Sequence, residues 1–173
     1  MSINFKLAFV LGLIAFFVVP TVIIFCFYKN KKVLKILGII FFILYCIALA
    51  CLVFGRFSIK NGVASLWFDF SYPWFSMKFL WFGTGEVGLM YNLFMLIPVG
   101  AFVISQTTKK RFLKTVGLSL LISFCIELFQ FILPISRYTE VFDLVTNTTS
   151  GIIGYLIFSV VVWLTKKIRK IEE

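Results

Sequence analysis

The chain has 173 residues, of which 61% are hydrophobic, with 23 phenylalanines, no histidine and a formal charge of +10. A soluble domain is about 45–50% apolar; a chain this apolar cannot hide its surface in a water-soluble core, so an all-α integral membrane domain over residues 1–173 is expected. The positive charge does not indicate nucleic-acid binding, because Lys and Arg fall in short clusters between hydrophobic runs and form no aromatic-basic face.

Five hydrophobic runs reach the roughly 20 residues needed to cross about 30 Å of hydrocarbon. They lie at about 7–28, 36–55, 87–106, 115–134 and 144–164. The first run, from Leu7 to Tyr28, is too long for the apolar part of a signal peptide and lacks a cleavage signal, so it reads as a retained helix. After it come Lys29, Lys31, Lys32 and Lys35. Lys109, Lys110, Arg111 and Lys114 separate the third and fourth runs, and Lys166, Lys167, Arg169 and Lys170 follow the fifth. Five spans place these twelve of the 17 basic residues on one side, leaving Lys6, Arg56, Lys60, Lys78 and Arg137 on the other. The positive-inside rule then gives an outer N-terminus and a cytoplasmic C-terminus.

The segment 56–86 falls outside and is rich in aromatic residues, among them Trp67, Phe68, Phe70, Tyr72, Trp74 and Trp81. Rings that can be half wet favour the headgroup region. The expectation is an interfacial loop or short helices on the outer leaflet, broken at Pro73. It reads either as an aromatic belt or as a lid over a polar site. In the third span, Pro98 and Gly100 weaken the helix and free a carbonyl. The four cysteines, Cys26, Cys46, Cys51 and Cys125, lie inside apolar runs without metal-ligand spacing, and are expected as buried small side chains. No metal or cofactor is expected. The lack of His removes the commonest general base.

Polar groups accumulate toward the outer ends of three spans: Asn92 in the third, Glu127 and Gln130 in the fourth, Asp143 and Asn147 in the fifth. Arg137 and Glu140 occupy the short connection between the last two. A charged group within hydrocarbon costs roughly 2.5–3.5 kcal/mol on insertion scales, so such groups face a protein interior or a wet cavity. Glu127 and Gln130 are three residues apart and share a helix face; Asp143, Asn147, Gly151 and Gly154 share another. Bland readings stand beside functional ones. Glu127 is protonated, or pairs with Arg137 to fix packing, or serves a site. Arg137 pairs with Glu140 or Asp143, or grips a phosphate or carboxylate. Asp143 caps the fifth span or lines the site. Asn92, Gln130 and Asn147 are interhelical glue or ligand contacts, and the two glycines admit a neighbouring helix.

These residues carry a resemblance. NLFMLIPVG from Asn92, ELFQ from Glu127 and RYTEVFDLVTNTTSGIIGY from Arg137 resemble, in order and spacing, the motifs of the VanZ family of bacterial membrane proteins. Ser150 stands where that family usually has glycine, and Glu140 where Asp is commoner. The resemblance covers about residues 85–160 and implies a multi-pass protein of the bacterial cell membrane. The family takes its name from a glycopeptide-resistance cluster member associated with resistance to teicoplanin, a lipid-bearing antibiotic. Three functions follow as expectations. The first is an outward-facing polar pocket of Asn92, Glu127, Gln130, Arg137, Glu140, Asp143 and Asn147 that binds an amphiphile, either a lipoglycopeptide or a cell-envelope lipid. The second is an enzyme on a lipid-linked substrate, with Glu127, Glu140 and Asp143 holding a divalent cation or one of them serving as a general base; without a recognised nucleophile it ranks lower. The third is a lipid transporter, for which five spans would work as a homo-oligomer.

Overall fold

A computed structural model describes residue 15 and residues 17–60, 63–71, 79–80, 86–134 and 139–170. Among these, helices dominate: α1 (Phe17–Phe27), then α2 (Lys31–Phe54), α3 (Glu86–Met95), α4 (Ile97–Gln106), α5 (Arg111–Ile132) and α6 (Val141–Arg169). Four spans are long and apolar enough to cross a membrane: α2, the α3–α4 unit from Leu89 to Gln106, α5 and α6. The protein is a multi-pass, all-α membrane protein. The expected first span is represented by the shorter α1, and most of its N-terminal half lies outside the described residues.

The helices run past the apolar runs into the basic clusters. α2 begins at Lys31, α5 at Arg111, and α6 continues to Arg169. Lys and Arg are good helix formers whose stems cover apolar surface while their charges reach water. The Asn30 side chain caps α2 by accepting the Val33 N–H at 3.1 Å. Lys110, at φ 52°, reverses the chain tightly before α5.

The 56–86 segment departs from expectation. It forms no described helix before Glu86. Instead β1 (Arg56–Lys60) and β2 (Val63–Trp67) pair antiparallel, with Lys60 opposite Val63. That register leaves two residues between the strands, Asn61 and Gly62, the dipeptide most favoured in tight hairpins. A strand pair thus occupies part of the segment for which an interfacial loop or short helices were expected. Further on, β3 (Phe79–Leu80) pairs in parallel with β4 (Thr139–Glu140), Leu80 opposite Glu140. The expected break at Pro73, together with Tyr72, Trp74 and Trp81, lies outside the described residues.

α4 sits at the centre. Ile97, Ala101 and Ile104 pack with Ile24, Leu34 and Phe158, joining α1, α2 and α6. Leu96, Val99 and Val103 pack with Tyr45, Leu49 and Ile126, joining α2 and α5. The Phe42 and Phe102 rings stack at 3.9 Å. Around this core, side chains such as Leu44, Leu113, Leu121 and Trp163 are exposed on the helix exteriors, as hydrocarbon solvent allows. The cysteines differ from expectation for the same reason. All four are free, but Cys26 is exposed and the others are half-buried, since lipid solvates a thiol as readily as a core does.

Pro98 breaks the third span as its ring and missing N–H require. The helix is interrupted at Leu96, and Val99 donates to the Leu96 carbonyl at 3.0 Å. The Met95 carbonyl receives the Tyr45 hydroxyl at 2.6 Å, and the Leu96 N–H donates to Ser150 Oγ at 2.9 Å. Both sides of the break are thereby satisfied within protein, as an oily surround demands.

Candidate functional site

α5 and α6 are antiparallel neighbours, and the apolar α5 carries a polar residue every fourth position: Thr115, Ser119, Ser123 and Glu127, all buried. A four-residue interval keeps them on one face. α6 answers with Asp143, Asn147 and Gly151 at the same interval. The two stripes meet in register. The Asn147 Nδ2 donates to Ser123 Oγ at 3.0 Å, and Ser123 Oγ donates to the Asp143 carbonyl at 3.4 Å. A side chain on Gly151 would overlap Ser119 Oγ.

Glu127 is 5% exposed. Its Oε2 accepts the backbone N–H of Glu140 at 2.9 Å, and its carbonyl accepts the Thr139 hydroxyl at 3.4 Å. β4 is therefore bound to the end of α5 on one side and to β3 on the other, so the strand from the 56–86 segment lies directly beside the site.

The structure brings together most of the residues expected there. The Glu127, Glu140 and Asp143 carboxyls lie within electrostatic reach of one another, and the Asn92 amide lies close to the Asp143 carboxyl. Asn147 is 1% exposed at the centre of the α5–α6 contact. Gln130 stands one turn beyond Glu127, half-buried. Arg137 lies outside the described residues. Five side-chain atoms are buried without a hydrogen-bond partner among the described residues: Asn92 Nδ2, Ser119 Oγ, Gln130 Oε1, Asp143 Oδ1 and Asn147 Oδ1. All five belong to α3, α5 and α6. Buried polar atoms in native proteins are nearly always satisfied, so a concentration of orphans marks a place that water or a ligand would complete.

Two further contributors were not singled out from the sequence: Ser123, which ties Asn147 of α6 to α5, and Ser119. Their signal was present as the polar residue at every fourth place in an apolar helix. The three carboxyls do not make a donor set for a metal ion. Among the described residues, no three acidic, Cys or His side chains converge in that way.

Below the site, helices touch through their backbones. A side chain on Gly154 would overlap the Ile97 backbone, and one on Gly100 the backbone of Gly154 and Tyr155. The expectation that Gly154 admits a neighbouring helix is met by α4. This close approach holds α3, and with it Asn92, against the α5–α6 polar stripe.

Comparison with curated proteins and with solved structures finds no match. The sequence model of one family, described as VanZ/LLP1, matches residues 42–163. That interval runs from the middle of α2 through most of α6 and takes in the whole polar cluster, and by it the chain belongs to the VanZ/LLP1 family.

Proposed function

We propose that the polar cluster at the α5–α6 junction receives the polar head of an amphiphile, a lipoglycopeptide or a cell-envelope lipid. On this reading the protein contributes to glycopeptide resistance, teicoplanin included, in the bacterial cell membrane. One observation carries the reading. Glu127 is buried within a membrane helix, its identified partner is a backbone N–H, and five orphaned polar atoms accompany it on three helices. Packing alone would favour apolar side chains at these positions, because replacing a half-satisfied polar network by apolar residues costs little or stabilises.

In this proposal Asn92, Gln130, Asp143 and Asn147 hydrogen-bond the head, and Arg137 grips its anionic group. The acyl chain lies against the Phe-rich spans. Basic residues face the cytoplasm, so the cluster faces outward. The strand pairing of β3 with β4 forms the roof, and its separation admits the ligand.

The test is a mass analysis of lipids that copurify with the protein, compared between the native chain and the Glu127→Ala and Arg137→Ala variants. Both variants are expected to reach the membrane at native level, to lose the copurifying amphiphile and to lose any teicoplanin protection. Equal ligand and protection in all three proteins would overturn the reading. The enzymatic alternative, in which carboxyls hold a divalent cation or one of them acts as a general base, would instead yield a chemically altered lipid.

A further inference from the structure

The opposite end of the molecule holds a second feature that the polar cluster does not use. A cleft of about 390 Å³ opens where the start of α2, the end of α4 and the start of α5 meet. Five cations line it: Lys31, Lys35, Lys109, Arg111 and Lys114. From Arg111 to Glu127 is sixteen residues of α5, about 24 Å of helix, so the cleft and the polar cluster are separate.

The walls of the cleft are built. Arg111 Nε donates to the Thr107 carbonyl at 2.7 Å, and Lys114 Nζ donates to Thr107 Oγ1 at 2.9 Å. Gln106 Nε2 donates to the Lys35 carbonyl at 3.0 Å, tying the end of α4 to α2. Lys31 Nζ stands 3.7 Å from the Tyr28 ring centre. Charges that serve only to orient a membrane helix need no such placement; they are equally effective anywhere in the flanking loop. Of the seven acidic residues, Asp69, Glu86, Glu127, Glu140 and Asp143 do not line the cleft, and Glu172 and Glu173 lie outside the described residues. Five like charges around one cleft repel one another unless an anion sits between them, and the space is in the range of small-ligand sites.

We propose that this cleft binds a phosphate-bearing anion, with Arg111 and Lys114 as its principal contacts. A guanidinium fork and an ammonium fit phosphate oxygens. Two sources share that chemistry: the headgroup of an anionic phospholipid in the adjoining leaflet, and a soluble phosphate compound.

The full chain in nanodiscs tests this. In one arm, retention of phosphatidylglycerol against phosphatidylcholine is read by native mass spectrometry. In the other, inorganic pyrophosphate is titrated by calorimetry into phosphatidylcholine nanodiscs. Native protein is expected to bind one or both, and binding to fall about tenfold or more in Arg111→Gln/Lys114→Gln, given the worth of charge-assisted hydrogen bonds. The control Lys167→Gln/Lys170→Gln removes the same charge from the same end outside the cleft, and is expected to leave binding within about twofold. Lys35→Gln, on a different helix, provides a second cleft variant with an intermediate loss. Phosphatidylglycerol binding alone identifies a lipid site, and pyrophosphate binding alone a soluble ligand. Equal losses in the cleft and control variants, or no preference for either anion, would overturn the proposal.

Discussion

The carboxylate of Glu127 accepts the backbone N–H of Glu140 at 2.9 Å, so two acidic residues are joined through one main chain. The bond ties the end of α5 to β4, and β4 to the strand arriving from residues 79–80. Glu127→Ala leaves that buried N–H without an acceptor, which costs about 1–3 kcal/mol. Glu127→Gln keeps an acceptor oxygen and is expected to retain most of the stability. Thermal unfolding in detergent micelles checks this: the alanine variant should melt several degrees below the glutamine variant. Equal melting of the two would show that the bond contributes nothing.

The glycines are ranked by what a methyl group would meet. At Gly154 and Gly100 it meets backbone of the facing helix, which cannot rotate away. At Gly151 it meets the Ser119 hydroxyl, a side chain that can turn. At Gly117 it meets nothing within 4 Å. Overpacking typically costs about 1–3 kcal/mol, so Gly154→Ala and Gly100→Ala are expected to destabilise by that much or more. Gly151→Ala should cost less, and Gly117→Ala should be neutral or stabilise by up to about 1 kcal/mol. Chemical unfolding of the four variants in mixed micelles measures the order, and a Gly154→Ala protein as stable as Gly117→Ala would contradict the close α4–α6 contact.

The Ser150 hydroxyl receives the Leu96 N–H at the helix break. Tyr45 serves the other side by donating to the Met95 carbonyl. Each of Ser150→Ala and Tyr45→Phe is expected to cost about 0.5–1.5 kcal/mol, the net worth of one hydrogen bond. Because both act on one break, their effects should not add, and the double variant should show a coupling of about 0.5 kcal/mol or more. Hydrogen exchange at the Leu96 amide gives a local readout: it should accelerate in Ser150→Ala. Unchanged exchange would mean that the hydroxyl is not the partner.

Much of this architecture is legible in the residues, because a membrane helix reports itself through length and hydropathy. Pro98 announced the break in the third span, and Gly151 and Gly154 announced the close contact. Glu127, Asp143 and Asn147 were conspicuous because polar groups are costly in oil. Ser119 and Ser123 were not, since an isolated serine in an apolar helix commonly bonds its own backbone; only the four-residue interval shared with Glu127 gives them away. The hairpin was hidden for a different reason. Asn61-Gly62 is a strong turn signal, but in a segment crowded with Trp and Phe the interfacial preference of the rings draws attention first. The β3–β4 pairing joins residues about sixty apart over two residues each, too short a match for any pattern to reveal.

Orientation ties the two ends of the molecule to their roles. The basic clusters at Lys31–Lys35, Lys109–Lys114 and Lys166–Lys170 fall at one end, consistent with Gln106 bonding Lys35 and Arg169 Nη1 donating to the Cys26 carbonyl at 3.4 Å. The hairpin and the polar cluster fall at the other. The positive-inside rule predicts that the basic end is cytoplasmic. A fluorescent protein fused after Glu173 should therefore fluoresce in bacterial cells. In a background with all four cysteines replaced, Phe68→Cys, on the exposed segment after β2, should react with a membrane-impermeant maleimide added to intact cells, whereas Lys110→Cys should react only after permeabilisation. The reverse pattern would place the polar cluster at the cytoplasmic face, where an antibiotic arriving from outside could not reach it, and would leave an inner-leaflet lipid as the ligand to pursue.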